Sequence, residues 1–329
     1  MRRLIFVACA CGSPAPAPQT FEFGPYPLAV GQEINGQCVS ATLGNDTPLY
    51  INAVELTTGP GFHHSNWFWV PESDFAGPDG TWQCADRNYD EAIAGVTGGV
   101  LFAQSTQALH ELQQFPDGMA IVVPPHSRIL AGTHLLNTTD APESVTLDLT
   151  ITPIEEPTTL LAAMSFVNES IALPPHRMSR FTMDCDLDTA HRSVLGRPVD
   201  FDVIYALGHY HVLGRGITID AIAADGSATP IFETTSRIGD ALGGRIAPSF
   251  SMAGFAKLRF ACNFDNPTDK IVRWGVGDQE MCAFLSFTDS EKVWFGGVID
   301  YNTLASVSDD GTTLEYTYPC KVINAEPNR

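Results

Sequence analysis

The stretch that decides the fold is residues 201–213, which read FDVIYALGHYHVL. Every second position carries a large apolar, aromatic or imidazole side chain, and these positions share one parity: Phe201, Val203, Tyr205, Leu207, His209, His211 and Leu213. Side chains at alternate positions of a β-strand project from the same face of the sheet. We therefore expect one long strand whose buried inner face carries both His209 and His211.

The same alternation recurs along the chain, for example over residues 145–151 and 258–264. Turn residues such as Asp265-Asn266-Pro267 separate these runs at short intervals. Helical periodicity is scarce, and residues 104–114 are the best candidate for a short helix. The pattern predicts an all-β protein made of two tandem antiparallel β-sandwich (jelly-roll-like) domains.

The length of 329 residues suits two domains, and residues 152–157 carry two prolines and two acidic residues between them. We expect an N-terminal sandwich over residues 21–155 and a C-terminal sandwich over residues 156–329. Seventy residues separate His64 from His134 and also His211 from Met281 (134 − 64 and 281 − 211). A Pro-Pro-His element also occurs in both halves, so the spacing indicates an internal duplication of one β-sandwich.

The N-terminus and the charge indicate where the protein works. A basic start, a short apolar run and Val7-Ala8-Cys9 resemble a bacterial lipoprotein signal, followed by a proline-rich tether within residues 1–20. The apolar run is shorter than usual, so either the start is incomplete or the segment is not a signal. We expect export to the periplasm or cell surface, with Cys9 as the candidate lipid anchor. The net charge of −20 argues against nucleic-acid partners, and no apolar run is long enough for a membrane span.

The first half offers a second pair of histidines, His63 and His64, which are adjacent in the sequence. Neighbouring residues on a regular strand point to opposite faces, so binding one ion with both requires a turn or bulge, which Gly59-Pro60-Gly61 supplies. His134 lies in an apolar strand-like run, and Met281 follows Glu280. Each of these residues taken alone is more typical of a core than of a metal site. His126, which follows two prolines, is an alternative to His134.

Taken together, these motifs carry a resemblance to a known family. In order, they are His63-His64, Pro116-Asp117-Gly118-Met119-Ala120, Pro124-Pro125, His134-Leu135-Leu136-Asn137, His209-Tyr210-His211-Val212-Leu213-Gly214 and Glu280-Met281-Cys282. Across residues 25–320, their order and approximate spacing resemble the copper type II, ascorbate-dependent monooxygenases. That family includes peptidylglycine α-hydroxylating monooxygenase and dopamine β-monooxygenase.

The resemblance implies two copper ions per chain, an electron donor such as ascorbate, and hydroxylation of a C–H bond with O2. His63, His64 and His134 would form the electron-transfer site. His209, His211 and Met281 would form the catalytic, oxygen-binding site, with electrons crossing a gap between the domains. Ligand chemistry agrees, because imidazole suits copper and a soft thioether favours Cu(I).

The resemblance also implies a disulfide framework for the six cysteines that remain when Cys9 and Cys11 are set aside. Cys262 should pair with Cys282, because the family has a bridge ending one residue after the methionine ligand. Cys38 with Cys84 should brace the His63-His64 turn. Cys185 with Cys320 would then close the second domain. An even number of cysteines fits an oxidising compartment.

The substrate is expected to differ from that of the peptidylglycine enzymes. Their carboxylate-binding arginine, two residues before the His-x-His motif, is Leu207 here, and Phe284 and Leu285 follow Met281 without the expected tyrosine. An apolar or aromatic small molecule therefore fits better than a peptide carboxylate. Two alternatives stay open. One is an exported copper-binding or copper-buffering protein without turnover, and the other is a metal-free pair of jelly-roll binding domains.

Overall fold

The computed structural model describes residues 17–105, 107–236, 238–275, 277–298 and 304–328. The signal-like segment, with Cys9 and Cys11, lies outside the described residues. Over the described ranges the chain is all-β with short helical segments, as the alternating patterns predict. None of the helices in these ranges has the length and apolarity to cross a membrane.

The first half is built from strands that the alternating runs largely anticipate. Their bounds are β1 (Gln19–Leu28), β2 (Glu33–Thr42), β3 (Leu49–Thr58), β4 (Phe62–Pro71), β5 (Gly80–Gln83), β6 (Gly99–Ala103), β7 (His110–Gln114), β8 (Met119–Val123), β9 (Ser127–Leu136), β10 (Glu143–Ile154) and β11 (Thr159–Leu160). A 3-10 turn, η1 (Cys84–Arg87), and a short helix, α1 (Glu91–Thr97), lie between β5 and β6.

The second half is also built mainly from strands, with one helix, α2 (Leu187–Leu195). The strand bounds are β12 (Ala162–Asn168), β13 (Ala172–Leu173), β14 (Arg177–Asp186), β15 (Asp202–His209), β16 (Gly214–Ala223), β17 (Ala228–Thr234), β18 (Gly243–Ser251), β19 (Phe255–Asn266), β20 (Val272–Arg273), β21 (Ala283–Thr288), β22 (Val293–Val298), β23 (Ser306–Asp309) and β24 (Thr313–Ala325).

Strand pairing confirms the internal duplication. In the first half the sheets run β1-β10-β3-β8 and β2-β9-β4, and in the second half β12-β21-β15-β18 and β14-β19-β16 occupy the corresponding places in the same order. Pairing is mostly antiparallel, with parallel contacts between β8 and β11, β12 and β22, and β14 and β24. The long β24 pairs with both β14 and β22 and so joins the two layers of the second half into one sheet.

The third ligands of the two halves do not correspond as the equal spacing suggests. His134 lies within β9, whereas Met281 lies in the connection after β19, just before β21. The 70-residue steps therefore lead to the same end of each sandwich but to different strand positions. The boundary between the halves also falls later than residue 155, because β11 still pairs with β8 of the first half.

The expected helix over residues 104–114 is wrong. Its described part is a loop followed by β7, which pairs with β3. Ala108, in the loop, and Phe115, just after β7, are both buried. Physically, the segment lies between the two halves of the molecule, where tertiary contacts override local propensity.

A register shift in β15 changes the hydrophobic core in which the side chains on one face of the strand are buried. Phe201 and Val203 pack in the core of the second half, but a shift between Val203 and Tyr205 breaks the regular alternation. Tyr205 and Leu207 then join the core of the first half. The expected single inner face is therefore wrong, and His209 lies where the two halves meet.

The halves consequently share one hydrophobic cluster. Side chains from β15 and β21, including Leu207 and Phe287, are buried with first-half residues such as Phe115. The rings of Phe115 and Phe287 lie with their centroids 4.9 Å apart. Burial of this kind holds the halves together as the hydrophobic effect holds a domain core.

All three predicted disulfides are present: Cys38–Cys84, Cys185–Cys320 and Cys262–Cys282. The second joins β14 to β24, and the third ends one residue after Met281. The first acts differently from the expectation, because it joins β2 to η1 and so braces the strand beside His134 rather than the turn before His63. Three bridges indicate folding in an oxidising compartment.

We expect Phe115→Ala to lower the free energy of unfolding by about 3–5 kcal/mol, because the buried ring fills the core between the halves. Calorimetry of the metal-free protein should show a single unfolding transition, and its midpoint temperature should be lower in the variant. The control is Leu112→Ala, whose side chain is exposed, with a change within about 0.5 kcal/mol. Two separate transitions, with only one shifted, would contradict the shared core.

Candidate metal centre

His63 and His64 are the second and third residues of β4, which follows a tight turn. Gly61 has a φ of 89°, a conformation that favours glycine. The pairing of β4 with β9 shifts register between Phe62 and His64, which is the bulge that the sequence predicts. The bulge brings the adjacent imidazoles together, with their Nδ1 atoms 2.8 Å apart and one nitrogen donating to the other.

His134 lies directly opposite His64 in the register of β9 and β4. Its ring centroid is 4.4 Å from that of His63. Glu33 on β2 lies 2.7 Å from Nε2 of His134, which fixes the orientation of the ring. Nδ1 of His134 is buried without a hydrogen-bond partner among the described residues.

His209 and His211 reach the same place by different means. β15 ends at His209, and His211 lies beyond it in the connection to β16, so the expectation that both lie in one strand is wrong. Hydrogen bonds set each ring instead: Nδ1 of His209 lies 2.7 Å from the carbonyl oxygen of Ser105, and Nδ1 of His211 lies 2.8 Å from that of Gln279. Carbonyl partners of this kind fix the tautomer that leaves Nε2 free for a metal.

The five imidazoles form one cluster rather than two separated groups. Centroids of rings from opposite halves lie 5.3 Å apart for His63 and His211, and 5.3 Å apart for His64 and His209. Within the second half, the His209 and His211 centroids are 5.2 Å apart. The expected gap between two domains is therefore absent at this point, because the shared core draws the halves into contact.

Glu280, to which the sequence analysis assigned no role, links the backbone of Met281 to this cluster. The buried carboxylate accepts hydrogen bonds from the backbone N–H groups of His211 at 2.8 Å, Leu213 at 2.6 Å and Met281 at 3.3 Å. Burial raises the pKa of Glu280 to about 7 although these three donors act to lower it. An acid directly before a predicted ligand was the available signal. Glu280 holds the backbones of His211 and Met281 in a fixed relation.

A second overlooked group comes from the loop before β7. Besides accepting from His209, Ser105 accepts the backbone N–H of Leu242 at its hydroxyl and donates its own N–H to Glu111. The neighbouring Gln104 accepts the backbone N–H of Ser65, two residues after His63. We call Gln104 and Ser105 the clasp, because they join the strand of one histidine pair to the ring of the other.

Electrostatics keep the histidines in the form that binds metals. Burial, reinforced by the neighbouring imidazoles, lowers the pKa of His63 to about 3 and holds that of His64 well below its usual value. Burial and the adjacent His211 lower the pKa of His209 to about 3, and burial lowers the pKa of His211. These rings are therefore neutral near pH 7, as metal ligation requires.

The donor set fits copper. Nε2 of His211, like Nδ1 of His134, is buried with no partner among the described residues. Ligand nitrogens of His63, His64 and His211 lie within 4.8 Å of one another. Imidazoles suit several transition metals, and a thioether such as that of Met281 would favour Cu(I) over harder ions if it joined them as a ligand.

The remaining histidines are not part of the cluster. His126 and His176 are exposed residues with positive φ in the turns after the two Pro-Pro pairs, so His126 does not replace His134. His110 is exposed beside Glu55. His191 is buried against Trp294 in the second half.

The side chains expected to contact an apolar substrate are occupied by protein packing. Leu207 and Leu285 belong to the core shared between the halves. Phe284 lies in the core of the second half, 5.9 Å from the ring of Phe260. The expectation that these three residues contact a substrate is wrong, because β15 buries Leu207 and β21 buries Phe284 and Leu285 in the two cores.

We expect Glu280→Ala to lower the affinity for Cu(I) by roughly 10–100-fold, because it frees the backbones of His211 and Met281. Leaving buried N–H groups without an acceptor should also cost at least about 1–3 kcal/mol of unfolding free energy. Competition with a Cu(I) chelator and thermal unfolding measure the two effects. Glu233→Ala, at an exposed site, is the control. Unchanged Cu(I) affinity in Glu280→Ala would refute the positioning role.

No family model and no curated protein matches the chain. Among solved structures, it is similar to the major capsid protein P2 of bacteriophage PM2, with 8% identity, 82% of this chain and 97% of that chain covered, and a TM-score of 0.32. It is also similar to PNGase F, a glycosylasparaginase from Flavobacterium meningosepticum, with 10% identity, 93% and 100% coverage, and a TM-score of 0.36. Likenesses this distant carry no argument about function.

Proposed function

We propose that this protein is a copper-dependent monooxygenase that binds two copper ions and hydroxylates a C–H bond of a small molecule, using O2 and a reductant such as ascorbate. The observation that carries the proposal is the cluster of five histidines, most of them buried, whose member His211 shares the carboxylate of Glu280 with the backbone of Met281. The five are His63, His64, His134, His209 and His211.

The chain's own residues bind and orient. His63, His64 and His134 would hold one ion, and His209, His211 and Met281 would hold the other. The carbonyl groups of Ser105 and Gln279 and the carboxylate of Glu33 fix the rings, so that little reorganisation accompanies metal binding.

Copper bound there would supply the one-electron redox chemistry that reaction with O2 requires. The protein excludes bulk water from the centre: His63, His134, His209 and His211 are 4%, 4%, 9% and 3% exposed. Exclusion of water limits the loss of reactive oxygen species to side reactions.

The compartment fits this chemistry. Three disulfides indicate an oxidising environment. We propose that the protein is exported to the periplasm or cell surface. We further propose that a lipid attached to Cys9 anchors the exported protein to a membrane surface.

A second candidate function is copper binding or buffering without turnover. One observation favours it, namely that Leu207, Phe284 and Leu285 are packed into cores and offer no surface to a substrate. Both functions require the same ligands, so turnover distinguishes them.

We expect the copper-loaded protein to consume O2 in the presence of ascorbate and a suitable substrate, and Met281→Ala to lower that rate at least about tenfold, because the ligand that favours Cu(I) is lost. An oxygen electrode combined with a screen of small apolar and aromatic compounds measures it. Met178→Ala, which removes an exposed methionine of β14, is the control and should retain the rate.

Two results contradict the proposal. The first is a rate in Met281→Ala equal to that of the unaltered chain. The second is stable copper binding with no substrate-dependent O2 uptake across the screen, which is the outcome that the buffering function predicts. Absence of any rise in melting temperature on adding copper would refute both functions in favour of a metal-free binding protein.

A further inference from the structure

We propose that Glu111, a buried carboxylate on β7, is a positioning residue for His209 and tunes the electron density of its ring through the backbone of Ser105. The inference rests on the proposed function, since His209 would bind copper there. It adds to that function a group outside the predicted ligands, in the other half of the molecule, that sets how strongly the bound ion prefers its oxidised state.

Glu111 is buried without a positive partner. It is 2% exposed. Its Oε2 accepts the backbone N–H of Ser105 at 3.0 Å, and its Oε1 is buried with no hydrogen-bond partner among the described residues. A buried carboxylate without a cation costs free energy, whereas a glutamine would supply an acceptor oxygen at a lower cost. A role in folding alone therefore does not explain the charge at this position.

Ser105 carries the contact of Glu111 across to the other half. Its N–H donates to Glu111, and its hydroxyl accepts the backbone N–H of Leu242 at 2.8 Å. Its carbonyl oxygen lies 2.7 Å from Nδ1 of His209. Three polar groups of one buried residue are thus bound from both halves, and Ser105 cannot turn without breaking one of these contacts. Glu111 and Leu242 therefore hold in place the carbonyl that orients His209.

Through these hydrogen bonds, the charge of Glu111 acts on the ring. A carbonyl oxygen only accepts, so Nδ1 of His209 carries the proton and Nε2 carries the lone pair. Hydrogen bonds in a buried chain polarise one another, so a carboxylate at one end strengthens the acceptor at the other. A stronger hydrogen bond at Nδ1 makes the imidazole a better donor to a metal ion. The added electron density stabilises Cu(II) more than Cu(I), because electrostatic attraction grows with the charge of the ion.

Glu111 and Glu280 act at different points of the site. Glu280 accepts from the backbone N–H groups of His211 and Met281, whereas Glu111 reaches the ring of His209 through a carbonyl. Burial raises the pKa of Glu111 to about 7, although its hydrogen bonds act to lower it. At about pH 8.5 the carboxyl is therefore ionised in most molecules, and both measurements below are made there.

The first measurement uses the full chain without metal, labelled with nitrogen-15 at histidine. Nuclear magnetic resonance reports the Nδ1–H proton of His209, which is identified by its loss in His209→Ala. We expect Glu111→Gln, which keeps an acceptor oxygen but removes the charge, to move this proton upfield because the hydrogen bond weakens. Glu111→Asp keeps the charge but withdraws it by one methylene, so it should give a smaller upfield shift.

The matched control is Glu55→Gln. Glu55 lies on β3 opposite Leu112 of β7, and its side chain is 45% exposed. The variant removes the same charge without touching the clasp, so it should leave the proton of His209 unmoved. An unmoved proton in Glu111→Gln would overturn the proposal. If the glutamine variant does not fold, an unmoved proton in Glu111→Asp would overturn it in the same way.

The second measurement is the reduction potential of the copper-loaded chain. At the ion held by His209, we expect Glu111→Gln to weaken binding of Cu(II) relative to Cu(I) roughly tenfold. That change corresponds to a rise of about 59 mV for a one-electron couple. Glu55→Gln should leave the potential unchanged. A potential that stays the same or falls in Glu111→Gln would refute the tuning of the ion by Glu111.

Failure here is distinguishable from failure of the proposed function. The resonance of His209 is measured without metal, so it decides the positioning role of Glu111 even in a chain that binds no copper. Substrate-dependent O2 uptake in a chain whose His209 proton does not respond to Glu111→Gln would refute the role of Glu111 and leave the monooxygenase in place.

Discussion

The structure depends on one constraint, the burial of imidazole nitrogens that have nothing in the described protein to bind. Nδ1 of His134 and Nε2 of His211 lack partners, and an unsatisfied buried polar group costs about 1–3 kcal/mol. Burial also keeps the rings of His63 and His209 neutral by lowering their pKa values. Coordination of a metal cation by these neutral imidazole nitrogens would offset the free energy lost by burying them without hydrogen bonds.

The fold meets this constraint by duplication and contact. Each half places its histidine pair at or next to the connection between corresponding strands of different sheets, β3 and β4 in the first half and β15 and β16 in the second. The shared core then brings these connections together, and the clasp orients the ring of His209 in one half with a backbone carbonyl from the other. The histidine cluster and the interface between the halves therefore depend on the same packing, because the contacts that bury Leu207 and Phe287 also bring the imidazoles within contact distance.

Much of this could be predicted from the sequence. Alternation identified the all-β class, Gly59-Pro60-Gly61 indicated the bulge at His63, and the family resemblance supplied all three disulfides. Sequence patterns could not reveal the register shift after Val203, which transfers His209 from an inner face to the interface. Nor could they reveal the loop at Gln104 and Ser105, since its role depends on contacts across the halves. The position of Glu280 directly before a predicted ligand was a signal, but its three hydrogen bonds to backbone N–H groups depend on tertiary structure and could not be read from the sequence.

The central claim is that one cluster of histidines binds copper where the halves meet. Anomalous X-ray diffraction at the copper absorption edge, from crystals of the copper-loaded chain, tests it most directly. We predict two anomalous peaks among the five imidazoles, one beside His63, His64 and His134 and the other beside His209, His211 and Met281. Copper bound elsewhere with the cluster empty, or two peaks separated by solvent between parted halves, would contradict the account.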